Sequence, residues 1–198
     1  MKATILTALA VFALCFSISA FADQAKTTDK AAMDQMMAKW TAFATPGDAH
    51  KAMANMVGSW DTVVTDFSMG KPTETKGMST ITSIMDGRYI QESAEGNFNG
   101  MPFHGMGTYG YDNMQKMYVT SWVDNMGTGI MTSTGTSTDG GKTINYTGKS
   151  SDPMSGKVQT YRSVMHTMDA DHYHFEMYGP GMDGKEMKMM EISYTRKK

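Results

Sequence analysis

The sequence predicts an all-β protein, an antiparallel barrel of about ten strands behind a short helical N-terminal segment. Three observations carry this. From Val57 onward, Thr, Tyr, Val and Ile alternate with polar residues in runs broken by turn signals. Residues 23–57 have no period of two and instead place apolar residues at three- and four-residue steps. No helical stretch separates the strand-like runs, which argues against a parallel sheet, because parallel strands need long crossovers.

The first element lies outside the fold. Lys2 precedes an apolar run rich in Ala, Leu and Phe, and Ala20-Phe21-Ala22 matches the small-x-small cleavage pattern of a secretory signal. Residues 1–22 are therefore expected to be removed, leaving Asp23 at the mature N-terminus. The run is short for a span and lacks a positive stop-transfer flank, so no membrane insertion is expected after cleavage. A lipoprotein signal using Cys15 would need a small residue where Leu14 stands. The expected location is the periplasm or the exterior. The mature chain would have 176 residues, no cysteine and a formal charge of −3. Disulfides, thiol nucleophiles and cysteine metal sites are thereby excluded. Basic residues cluster only at Arg196-Lys197-Lys198, which argues against nucleic acid as a partner.

Residues 23–56 form the helical segment. Met33, Met36, Met37, Trp40 and Ala44 share one helical face, Thr28 precedes them, and Pro46-Gly47 stops the run. A second short helix from about Asp48 to Met56 groups Ala49, Met53 and Met56. Residues 57–198 form the barrel. Its turns are expected at Asp86-Gly87, Asp112-Asn113, Asp139-Gly140-Gly141, Asp152-Pro153, Asp169-Ala170-Asp171 and Gly179-Pro180-Gly181. A meander closed on itself is the simplest arrangement, since closure removes exposed strand edges.

Gly58-Ser59-Trp60 opens the first strand and Arg196 ends the last. This resembles the calycin superfamily pattern, in which an early G-x-W tryptophan packs under an arginine of the closing strand. Residues 87–131, GRYIQESAEGNFNGMPFHGMGTYGYDNMQKMYVTSWVDNMGTGIM, resemble the bacterial domain-of-unknown-function family 1579. DPMSGK (152–157) and FEMYGPGMDGKEMKMMEISYTR (175–196) fit the same family. The resemblance covers nearly all of residues 52–197. It implies a calycin-like, lipocalin-like barrel in exported bacterial proteins, and no activity.

The chemistry-bearing residues point away from catalysis. There is no cysteine nucleophile, G-x-S-x-G elbow, phosphate-binding glycine loop or dinucleotide fingerprint, and no carboxylate pair stands out as an acid/base dyad. No cofactor is called for. Methionine is unusually frequent, with 22 in the mature chain, while all three leucines lie in the signal. Methionine is then the available large unbranched core residue, and much of the excess is expected in the core. Thioethers also bind Cu(I), so copper is the metal to consider, or sulfoxide formation could buffer oxidant. His104-x-Met106 shares one strand side and could supply two soft ligands. His172, His174 and Glu176 share another, at a spacing that suits zinc or copper. In both places the simpler reading is a solvated strand face.

A barrel of about ten strands is wider than side chains fill, so an internal cavity for a small, partly apolar ligand is expected. Tyr118, Thr120, Trp122 and Asp124 share one strand face, with Tyr118 and Trp122 as an aromatic wall and Asp124 at the rim. Arg88 and Arg162 could hold an anionic group inside, or could pair with a carboxylate such as Glu92 or Glu176.

Overall fold

A computed structural model describes residues 29–198 except Met69, Met154 and Met182. The expected signal segment lies outside the described residues. By contacts the chain splits into two units, residues 1–44 and 45–198. In the first, helix α1 covers residues 29–44. Met33, Met36, Met37, Trp40 and Phe43 are exposed on it, and Trp40 stacks on Phe43 at 5.6 Å between ring centres.

The second unit opens with α2 (Asp48–Ala54) and continues through ten strands. These are β1 (Gly58–Asp66), β2 (Thr73–Ile84), β3 (Tyr89–Phe98), β4 (Met101–Asp112), β5 (Met117–Asp124), β6 (Met131–Thr136), β7 (Thr143–Asp152), β8 (Lys157–Thr167), β9 (His172–Pro180) and β10 (Glu186–Arg196). Each pairs antiparallel with the next, and β1 closes the barrel on β10, in a register that sets Trp60 opposite Arg196. The expected turns at Asp86-Gly87, Asp112-Asn113, residues 139–141, Asp152-Pro153 and residues 169–171 join strands as the local chemistry requires. One differs: β9 runs on through Pro180, and the turn follows at residues 181–185. Three went unread: residues 67–72 between β1 and β2, residues 125–130 between β5 and β6, and Asn99-Gly100 between β3 and β4. Asn99 and Gly100 both have positive φ. Asn-Gly is the strongest short hairpin signal a sequence offers.

In a meander, alternate turns lie at the same end. The β2–β3, β4–β5, β6–β7 and β8–β9 turns share one end with α2, which packs on β3 and β4. The buried core sits there. Met53 and Met56 meet Trp60, Ile81, Ile90, Tyr118, Ile144, Tyr146, Met165, Tyr173 and Tyr194. The strand positions explain this, because each core residue lies in the half of its strand nearest α2. Methionine replaces leucine in this core only at Met53, Met56 and Met165 among the described residues. Met78, Met85, Met101, Met114 and Met168 are exposed, so core filling accounts for less of the excess than expected.

The G-x-W pattern has a direct physical basis. The Arg196 guanidinium lies 4.1 Å over the Trp60 ring and donates to the carbonyls of Asn55, Val57 and Ala170 at 2.7–3.0 Å. Gly58 has φ +144, and a Cβ there would stand 2.5 Å from Arg196 Nη1. Glycine is thus required both by backbone and by space.

At the head of α2, His50 is 6 % exposed and its Nδ1 accepts the Gly47 N–H at 3.0 Å. Burial pushes its pKa down, a hydrogen bond to the Tyr111 backbone pushes it up, and the nearby Arg88 charge pushes it down; the net shift is downward. A group held neutral in the fold gains a proton more readily when unfolded. Its stabilising contribution is therefore complete above the unfolded value of 6.5 and is lost as pH falls through the lower folded value. Urea midpoints between pH 7.5 and 5 should fall for the native chain. His50→Asn should flatten that slope, and an unchanged slope would remove His50 as its cause.

Candidate functional site

The half of the barrel away from α2 is open. Five of its inward positions are small: Thr75 and Gly77 on β2, Ala94 and Gly96 on β3, Gly105 on β4. Side chains of that size leave a cup of about 380 Å³, within the usual range for small-molecule sites of about 300–1,000 Å³. Its wall is mainly apolar, from Phe98, Phe103, Trp122, Met177, Met190 and Ile192. Trp122 lies flat because β4 has glycine beneath it: a Cβ on Gly105 would stand 2.3 Å from the indole. The indole N–H donates to Asp124 at 2.9 Å, which fixes the ring against the wall.

The floor is polar. Glu92 is 2 % exposed, faces inward on β3 between Ile90 and Ala94, and borders the cup with Ser79 and Tyr194. The Ser79 hydroxyl donates to its Oε1 at 2.6 Å and Tyr194 to the same oxygen at 3.2 Å. Tyr109 donates to Oε2 at 2.6 Å. Burial pushes the Tyr109 and Tyr194 hydroxyls far above the ordinary tyrosine range, with the Glu92 charge adding to the effect. Both therefore remain protonated donors. Below this layer Tyr173 stacks on Tyr194 at 3.9 Å. Glu92 thus marks the boundary between the filled half of the barrel and the empty one.

The expected ligand residues divide. Trp122 and Asp124 line the cup. Tyr118 does not; it is 4 % exposed in the core, packed edge-on against Tyr111 at 5.0 Å. Arg88 stands in the β2–β3 turn at the closed end, where it donates to the Met85 carbonyl and lies 3.7 Å from Asp86. Arg162 is on the outer face of β8. It forms a bidentate pair with Glu186 at 2.9 and 3.2 Å and lies 3.9 Å over the Tyr178 ring. Neither arginine reaches the interior, and neither pairs with Glu92. The alternation that makes Ser163 and Met165 inward puts Arg162 outside.

The metal candidates lie on the outer surface. His104 and Met106 are both exposed on the outward side of β4. His172 Nδ1 is taken by Asp169 at 2.9 Å. His174 and Glu176 come together not with His172 but with Glu191 across the β9–β10 ladder, their ligand atoms within 4.8 Å of one another. Lys188 already serves this cluster, donating to Glu176 and, at 2.8 Å, to Glu191. The two carboxylates push its pKa upward.

Glu92, Ser79, Tyr109 and Tyr194 escaped the sequence reading as a site. One signal was present: a glutamate at the same parity as Ile90 and Ala94, inside an apolar strand face.

The family model described as "Protein of unknown function (DUF1579)" matches residues 45–196. No curated protein matches the sequence. Among solved structures, the chain is similar to Rv2717c from M. tuberculosis at 12% identity, with 78% of this chain and 100% of that chain covered and a TM-score of 0.57. It is also similar to the S-type phycobiliprotein lyase CPES from Guillardia theta at 12% identity, covering 75% and 92%, with a TM-score of 0.51. At such identities the likeness is one of fold, a closed barrel.

Proposed function

The chain belongs to the DUF1579 family, and on that premise we propose that it is an exported, non-catalytic protein that holds a small, partly apolar ligand in its barrel. The observation that supports this is the cup: a barrel sealed by α2 and an aromatic core at one end, unfilled at the other. Burying an apolar body there removes its surface from water at about 25 cal/mol per Å². The methionine and aromatic walls suit a flat or irregular partner, since thioethers adapt to shape. Catalysis has less support. No histidine among the described residues lines the cup, and the one buried carboxyl is engaged by three hydroxyls.

The test is saturable binding of the neutral fluorophore N-phenyl-naphthylamine, with Ala94→Trp as the cup-filling variant. Ala94 faces the cavity, so an indole there occupies ligand space and leaves the core near α2 unchanged. One-to-one binding is expected for the native chain, weakened at least about tenfold in A94W, the equivalent of about 1.4 kcal/mol. The thermal midpoint should barely move. Equal binding by both chains would place the fluorophore elsewhere and sink this reading.

A further inference from the structure

Glu92 is a buried carboxyl group without a cation beside it among the described residues. No Lys, Arg or His pairs with its carboxylate among the described residues, and its only partners are Ser79, Tyr109 and Tyr194. Such isolation is uncommon, because a carboxylate taken out of water normally pairs with a cation or coordinates metal. The hydroxyl distances of 2.6 Å to Ser79 and Tyr109 are those of charge-assisted O–H···O⁻ bonds. An ionised carboxylate offers about four acceptor positions, and three are used here, two on Oε1 and one on Oε2. The remaining position is on Oε2, and Glu92 borders the cup.

The rest of the cavity has the same sign. Asp66 and Asp124 face inward near the mouth, each accepting backbone N–H groups, from Ser68 and Met126. Among the described residues Lys76 is the only cationic one along the wall, and it occupies an outward, exposed position of β2 between inward Thr75 and Gly77. A ligand with a buried carboxylate, phosphate or sulfate would meet Glu92 with nothing to neutralise either charge. A ligand with a protonated nitrogen would complete the ion pair that the fold leaves open.

We infer that the cup selects amphiphilic cations, molecules with an apolar, largely aromatic body and a protonated amine or amidine that enters first and pairs with Glu92. This rests on the reading of the cup as a ligand site. Ser79, Tyr109 and Tyr194 are then positioning residues: they hold the carboxylate in place so that no rearrangement accompanies binding. The apolar walls take the body, and Asp66 and Asp124 draw the cation to the mouth.

Three compounds with one ring system separate the possibilities: naphthylmethylamine, naphthalenemethanol and naphthoic acid, each displacing N-phenyl-naphthylamine at pH 7. The amine should bind the native chain at least about tenfold more tightly than the alcohol, as a charge-assisted hydrogen bond implies. The acid should bind most weakly. In Glu92→Gln, which keeps size and polarity, the amine and alcohol should differ by no more than about twofold, with the alcohol little changed. Glu92→Asp should retain the order. The ranking on the native chain needs no variant, so misfolding of E92Q does not shelter the inference. Alcohol equal to amine, or acid tightest, with A94W still weakening binding, overturns the cation preference and leaves the cup as a ligand site. Failure of all three compounds and the fluorophore overturns both.

Discussion

Trp60→Ala should lower the stability of the barrel by about 3–5 kcal/mol, the usual cost of deleting a buried tryptophan. That is a large share of a typical total of about 5–15 kcal/mol. For a domain of this size it corresponds to a fall in the melting temperature of roughly 6–20 °C. The reason is the number of roles that meet at one ring. Trp60 is 2 % exposed, packs edge-on against Tyr173 at 4.7 Å, and supports the Arg196 guanidinium. Its indole N–H donates at 2.9 Å to the Met56 carbonyl, just past the end of α2. Removing it opens a cavity, unseats the closing arginine and leaves a buried carbonyl unpaired. Trp60→Phe separates these effects, since it keeps most of the packing and loses the donor; its cost should be nearer 1–3 kcal/mol, roughly that of one unsatisfied group. Chemical denaturation of both variants measures the difference. A W60A loss no larger than that of W60F would mean that the indole hydrogen bond, and not the packing of the ring, carries the effect.

Gly105→Val should damage both stability and binding, although valine is the better strand former. Gly105 has no positive φ, so its backbone accepts any residue. The obstacle is Trp122, whose Cζ2 and Cη2 would lie 2.3 and 2.9 Å from the new Cβ. The indole must leave the wall, break its bond to Asp124 and swing into the cup. Overpacking of this kind costs about 1–3 kcal/mol. Fluorophore affinity should fall at least about tenfold, or about 1.4 kcal/mol, because the displaced ring takes ligand volume. The test of cause is a double-mutant cycle. In a Trp122→Ala background the three nearest atoms to the new Cβ are gone, so the valine's cost should shrink sharply, a coupling outside the range of independent sites. Additive costs would show that the ring was not the obstacle.

Much of the fold was legible in the chain. The alternation after Val57, the aspartate- and glycine-bearing turns and the Gly58-Ser59-Trp60 opening with Arg196 all led to a closed antiparallel meander. The site was legible only in part. Trp122 and Asp124 were placed on the wall by strand parity, and that parity holds in the barrel. Tyr118 shares the parity but lies four residues nearer the closed end, where the core is solid. Parity gives the face, not the depth. For Arg162 the face decided between its two readings: it lies outside and pairs with a carboxylate, which is Glu186 rather than Glu92 or Glu176.

The sequence by itself determined the class of fold, the approximate number of strands and most of the turns between them. These follow from interactions within a few residues, side-chain alternation and turn chemistry, while the closure of β1 on β10 was legible through the Gly58-Ser59-Trp60 opening and Arg196. The tertiary structure alone decided which half of the barrel is filled and what charge its floor carries. Glu92 becomes a site only when closure brings Tyr194, 102 residues away, and Ser79 and Tyr109 from the flanking strands, onto one carboxylate. In sequence Glu92 is one of 20 acidic residues. Register across the closed sheet buries it, surrounds it with hydroxyls and keeps every described cation on the outside or at the ends.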